Sequence, residues 1–243
     1  MLKMKLGLVK YHILALAREP ITMFLGFGLP FVILFMQSNL INEFDNALGL
    51  DILLGILITM AITVLCFNDS AYSHAYTRQI KFLRRLRMTP VKSWHYIVTG
   101  IVSRIAVLIV FVATMIAVLT VNFGMDLTDR NWLFFAVIVI MTFIMFYLIG
   151  MFIANMLKNA KMSQSLSMAV YFLFLTLGGI MFPIEIMPDF LQSIASWLPT
   201  AFSISTLQNA WTGTDIFYGH YFIAMVITTV IFGVLSVKFF KYE

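Results

Sequence analysis

Charge is what this chain has least of. Asp, Glu, Lys and Arg make up 11% of its 243 residues, less than half of the roughly 25% typical of soluble domains. With 61% hydrophobic residues and a mean hydropathy of +0.96, an ordinary soluble fold is excluded. Cysteine is nearly absent. Cys66 is the single one, so no intramolecular disulfide can form, and its place inside an apolar run reads as a small buried residue. The sequence also lacks Gly-x-x-x-x-Gly-Lys-Ser/Thr, His-Glu-x-x-His, Cys-x-x-Cys and Gly-x-Ser-x-Gly, the short patterns behind phosphate binding, zinc hydrolysis, thiol redox chemistry and serine hydrolysis. His12, His74, His95 and His220 fall in four separate flanks, none beside a second ligand type at metal spacing. Ser163, Ser165 and Ser167 have no catalytic partner in view. The apolar runs hold none of the mid-span Asp, Glu or His residues with which ion-coupled transporters bind their ion. A chain of this kind does not hydrolyse nucleotide, and uphill movement of a solute would need energy from elsewhere.

What is present is apolar and comes in blocks. Six stand out, at about 21–37, 52–67, 96–121, 132–153, 165–182 and 221–240, each near the roughly 20 residues that cross a bilayer as a helix. The first two are short and extend into their flanks or occupy thin membrane. Backbone groups in lipid must be satisfied within the segment, so these are helices, and the alternating strands of a membrane barrel are missing. The first block starts at Ile21, contains Pro30 and runs into Met36-Gln37-Ser38-Asn39 without a small-x-small cleavage pattern, so it reads as a retained span rather than a signal peptide.

The basic residues fix an expected orientation. Lys3, Lys5, Lys10 and Arg18 precede the first block; Arg78, Lys81, Arg84, Arg85, Arg87 and Lys92 join the second to the third. Lys158 and Lys161 join the fourth to the fifth, and Lys238 and Lys241 close the chain. That is fourteen of sixteen on one side, against Arg130 alone on the other. Cytoplasmic loops collect Lys and Arg, so both termini are expected in the cytoplasm. Because the basic residues flank membrane segments, the net charge of +5 does not point to nucleic acid. The 183–220 connection is then external. Its apolar pairs and Pro183, Pro188 and Pro199 predict short helices on or in the outer leaflet, with Trp197 and Trp211 at headgroup depth.

Residues 70–95 form the one long polar, basic stretch, and are expected to be a cytoplasmic loop. On a helical wheel Tyr72, Tyr76, Ile80, Phe82, Leu83 and Leu86 share one arc, with Arg78, Lys81, Arg84 and Arg85 on the other, until Thr89-Pro90 stops the helix. Such a helix either lies on anionic lipid or is a lever that a partner moves, rocking the spans on both sides. Residues Leu6–Ala17 form a second amphipathic candidate. Arg104 is the ionisable residue inside a span. Mid-bilayer it would cost roughly 2.5–3.5 kcal/mol, but it lies about 12 Å from the cytoplasmic end of that span. It is expected to snorkel to the inner interface or to line a polar cytoplasmic vestibule.

These pieces together resemble the permease subunits of ABC-2 type transporters, particularly the small drug- and peptide-exporting branch, over nearly the whole chain. The resemblance is carried by Arg18-Glu19-Pro20 with Pro30, by Leu83-Arg84-Arg85-Leu86-Arg87-Met88-Thr89-Pro90-Val91 with Trp94, and by Gly178-Gly179, Phe182-Pro183, Met187-Pro188 and Leu198-Pro199. It implies an all-α integral membrane protein of one transmembrane domain over 1–243, with six helices per subunit. It further implies a second permease subunit, identical or homologous, and two cytoplasmic ATPase subunits that hold the ATP and magnesium; this chain itself would bind no cofactor. The 77–90 segment becomes the coupling helix, with Arg78, Phe82, Leu83, Arg84, Arg85, Leu86, Arg87, Thr89 and Pro90 as ATPase contacts. The N-terminal amphipathic helix becomes the connecting helix, 162–165 a second cytoplasmic contact, and 184–205 the short external helices. Where many members carry a Glu and a Gly before the Leu-Arg stretch, this chain has Thr77-Arg78-Gln79-Ile80.

The expected function is then export across the cell membrane, in bacteria the cytoplasmic membrane, of a hydrophobic or amphipathic substrate such as a drug, a cytolytic peptide or a lipid-like molecule. The path would be lined by the first, second and fifth spans through Phe24, Phe27, Met60, Phe172, Phe174 and Met181, with Arg104 at a vestibule. The alternative is an ion-coupled secondary transporter or channel.

Overall fold

The computed structural model describes residues 24–41, 46–82, 93–128, 130–157, 159–182, 184, 187–213 and 219–239. Among them there are helices and connections but no strand, as backbone that must satisfy itself in an apolar medium requires. The expected N-terminal amphipathic helix lies outside the described residues, as do 83–92.

A π-helical turn, Phe24–Gly28, runs directly into α1, Leu29–Ile41, so that Pro30, which can donate no backbone hydrogen bond, follows a widened turn of the helix. The next rod is the longest departure from expectation. Helix α2, Asn46–Ile62, passes through a π-helical stretch, Thr63–Asn68, directly into α3, Asp69–Gln79. The second apolar segment therefore does not give way to a loop near residue 70; it stays helical as far as Gln79, with one face buried down to Arg78. Helix α4 is Ser93–Phe123, α5 Trp132–Met156 and α6 Ala160–Leu177. Two shorter helices follow, α7 (Asp189–Ala195) and α8 (Pro199–Thr212), the latter ended by Gly213 at φ +75°, the left-handed position that glycine fills without a Cβ clash. The last helix is α9, His220–Lys238.

By length and composition, four described helices can cross a membrane: 49–79, 98–123, 132–156 and 220–238. The shorter apolar helix Phe24–Met36 and α6 stand at the places of the first and fifth expected spans. The core centres on the α2–α3 rod, which α5, α6 and α8 enclose, while α4 and α9 are mostly exposed along their length. Their outward faces, Val102, Ile109, Val110 and Val121 on α4 and Ile223, Ile227, Val230, Ile231 and Val234 on α9, are aliphatic, as a lipid-facing surface demands.

Helix α8 also differs from expectation. It packs against α2, α5 and α9 inside the bundle, and Trp211 is buried rather than at a surface; Trp197, between α7 and α8, is 78% exposed.

Candidate functional site

The polar residues of α3 explain why the helix continues. Ser70, Ala71 and Ala75 are fully buried small residues, the type that lets membrane helices approach closely. At Gly150 of α5 the approach is so near that a Cβ would collide with the Phe67 carbonyl oxygen and the Ser70 hydroxyl. Hydroxyls and amides then lace α3 to its neighbours. Ser70 Oγ donates to the Tyr147 carbonyl at 3.2 Å, Ser163 Oγ to the Ala71 carbonyl at 2.8 Å, and Ser167 Oγ to Asn68 Oδ1 at 2.5 Å. A stretch that is polar in sequence is thus a helix–helix interface, and its polarity is spent on partners rather than on water.

Within that interface lies an ion pair. Asp69 (3% exposed) and Arg104 of α4 (6% exposed) meet at 2.5 Å, and Arg104 Nη1 also donates to the Gly100 carbonyl at 3.1 Å. The guanidinium stands 5.5 Å from the ring centre of Tyr147, an attractive distance for a cation over an aromatic face. The hydroxyl of Tyr147 is 3.3 Å from His74 Nε2. Arg104 therefore does not snorkel to an interface. It turns inward because a buried carboxylate on the adjacent helix neutralises it where solvent could not. Ten residues of helix separate Asp69 from Gln79, about 15 Å, which is half of a hydrocarbon core of roughly 30 Å.

The end of α3 is built differently. Thr77 is buried and donates to its own helix at Ser73 and His74. Arg78 is buried too, and its Nη2 donates to the Ala154 carbonyl at 3.0 Å and to the Leu157 carbonyl, at the C-terminal end of α5. Gln79 Oε1 accepts from the Ala160 N–H at 3.2 Å, in the first turn of α6. The chain then breaks: Ile80 N–H bonds back to Tyr76, Lys81 N–H to Arg78, and Lys81 takes φ +58°. The single amphipathic helix expected across Tyr72–Leu86 is interrupted there, because its first half belongs to the membrane rod. Phe82 is half-buried; Leu83, Arg84, Arg85, Leu86, Arg87, Thr89 and Pro90 lie outside the described residues. Arg78, expected to face a partner, has its guanidinium committed to this chain's own carbonyls.

A second charged cluster closes the opposite end. Arg130 Nη1 meets Asp51 Oδ2 at 3.0 Å, Trp211 Nε1 donates to Asp51 Oδ1 at 2.8 Å, and the Arg130 guanidinium lies 5.3 Å over the Trp211 ring. It ties the start of α2, the α4–α5 connection and the end of α8. In that connection the Thr128 N–H and hydroxyl both donate to Asp126, holding its carboxyl below the ordinary value.

The expected path residues divide. Phe24, Phe172 and Met181 are exposed, whereas Met60 is wholly buried. Phe174 is also buried, packed on Phe67 and Phe146 at 5.7 and 6.1 Å, and Phe27 sits edge-on to Phe111 at 5.2 Å. The second span, enclosed by the rest of the chain, offers no surface for a path at Met60. Asp69, Gln79, Tyr147 and the Asp51–Arg130–Trp211 cluster were not legible as site residues. The signal for Asp69 was the small residues Ser70, Ala71 and Ala75 just after it, which mark a packed membrane helix rather than a loop.

Among the described residues no group of three or more His, Cys, Asp or Glu could hold a metal ion. Ser163 and Ser167 are engaged in the interhelical bonds above, and Ser165 is exposed. The sequence model of a family described as ABC-2 type transporter matches residues 6–212. Comparison with curated proteins gave no match.

Proposed function

Because this multi-pass membrane chain belongs to the ABC-2 type transporter family, and so is an ABC transporter permease subunit associated with ABC ATPase subunits, we propose that it works as an exporter of hydrophobic or amphipathic substrates. It forms one transmembrane domain of six spans with both termini cytoplasmic. It pairs with a second permease subunit, and two ATPase subunits hold the ATP and magnesium.

The observation that carries this reading is the continuous helical rod that leads from the core of the bundle to the start of the basic segment. The α2–α3 rod runs from Asn46 to Gln79, and only the Ile80–Lys81 break separates it from Leu83–Pro90. Force applied to that segment reaches buried helix directly. It also reaches more than the second and third spans. α3 is bonded to α5 and α6 along its whole length, while α4 joins it chiefly through Arg104, so α3, α5 and α6 move together. The substrate path belongs on outward faces that are neither enclosed nor purely aliphatic. Helix α6 has one, with exposed Gln164, Ser165, Phe172 and Thr176, and Phe24 and Met181 are exposed as well. An ion-coupled mechanism is not favoured by the buried acids, since Asp51 and Asp69 are each held by an arginine.

The test is the double substitution Leu83→Asp/Leu86→Asp. An apolar knob on a basic segment is how a short helix anchors in a partner groove, and an unpaired buried charge there costs several kcal/mol. The variant is expected to insert normally, to lose the co-purifying ATPase and to lose export. A stoichiometric ATPase retained on the variant overturns the coupling assignment; a wild-type chain that never retains one overturns the ATP-driven reading.

A further inference from the structure

The last two residues of α3 close both ends of the connection between α5 and α6. An α-helix leaves its last carbonyls and its first N–H groups without partners. Arg78 satisfies the carbonyls of Ala154 and Leu157 with one nitrogen of a guanidinium, and its positive charge suits the C-terminal end of the α5 dipole. Gln79 takes the free N–H of Ala160, beside Asn159, whose own Oδ1 caps Lys161 N–H. The geometry is possible because Ala75, Ala154 and Ala160 meet at this point as a buried trio, small enough for three backbones to converge. A water-filled gap at this junction would satisfy the same groups without linking the helices; here the partners come from the adjoining rod.

We propose that Arg78 and Gln79 are positioning residues that lock the end of α3 to the α5–α6 connection, so that a push on the 80–92 segment is delivered to α6 as well as to α3. This inference rests on the permease reading above. Without the clamp, α3 still moves with the segment, but α6 is reached only through side-chain bonds higher in the bundle, such as Ser163 to Ala71 and Ser167 to Asn68.

The experiment uses the intact permease–ATPase complex in nanodiscs, in a Cys66→Ala background, with one reporter cysteine at a time. Ile80→Cys reports the end of α3 and Met162→Cys reports α6; both side chains are exposed in the wild-type chain. The rate of labelling by a water-soluble maleimide is compared with and without ATP plus vanadate. With the clamp intact, the nucleotide is expected to change the rate severalfold at both positions. In Gln79→Ala and in Arg78→Gln the change at Ile80→Cys should persist and that at Met162→Cys should fall severalfold, the remainder being what the Ser163–Ala71 and Ser167–Asn68 bonds still transmit. Gln79→Glu keeps the acceptor for Ala160 N–H and should restore it. Gln79 is exposed, so the Gln79→Ala and Gln79→Glu pair decides the matter even where Arg78→Gln fails to insert. An undiminished response at Met162→Cys in Gln79→Ala, or a loss that Gln79→Glu does not reverse, overturns the clamp. Absence of any nucleotide response at Ile80→Cys in the otherwise unaltered complex overturns the ATP-driven coupling reading, and the clamp with it.

Discussion

Asp69 and Arg104 show how a single pair of residues is retained in an apolar bundle. Either charge alone would be untenable about 15 Å from the end of its helix. Together they form a neutral, hydrogen-bonded unit, with the Gly100 carbonyl and the Tyr147 ring completing the surroundings of the guanidinium. Removing one partner leaves the other unpaired, which for buried pairs costs about 3–5 kcal/mol, whereas replacing both by apolar residues of similar volume is often neutral. Arg104→Met and Asp69→Leu are therefore each expected to lower the thermal midpoint of the detergent-solubilised protein sharply, and the double variant to recover most of the loss. Additive losses would show that the two residues act independently. If the pair serves transport as well as stability, the recovered double variant remains deficient in export, a separation that the conservative Arg104→Lys should reduce.

Among the elements, α3 is the instructive one. Gly150 lies where α5 crosses it, and an added Cβ meets backbone, the Phe67 carbonyl, rather than a side chain that could swing away. Alanine is intrinsically better than glycine in a helix by about 1 kcal/mol, so propensity alone favours Gly150→Ala. Packing predicts the reverse: the two helices must separate, at a cost of about 1–3 kcal/mol for an overpacked site. A lower thermal midpoint for Gly150→Ala, read by tryptophan fluorescence, is the expected result, and a raised one would refute the close crossing. The helices themselves were legible from hydropathy, because long apolar runs such as Trp132–Met156 admit no other structure in lipid. The boundary at residue 70 was not. Ser70, His74 and Arg78 carry the composition of a loop, and only the partners on α5, distant in sequence, turn that polarity into an interface. The same blindness hid the role of Arg104, whose counter-charge lies thirty-five residues away, and left Met60 on an expected path although the surrounding helices cover it.

For the whole molecule, two polar knots sit at opposite ends of the bundle and hold different sets of helices. Asp51, Arg130 and Trp211 tie the α2 start, the α4–α5 connection and α8 at one end; Arg78 and Gln79 tie α3, α5 and α6 at the other. The proposed orientation gives each end a side. The Arg130 end, with its acidic connection, faces outward, and the end with Lys161 and the basic segment faces the cytoplasm. Single cysteines at Asp126 and at Lys161 in the Cys66→Ala background distinguish the two, since Asp126 and Lys161 are both exposed and so accessible to a reagent on their own side. A membrane-impermeant maleimide added to intact cells should label Asp126→Cys, and should label Lys161→Cys only after the membrane is opened. Labelling of Lys161→Cys in intact cells would invert the molecule, place the clamp outside, and remove the basic segment from any cytoplasmic ATPase.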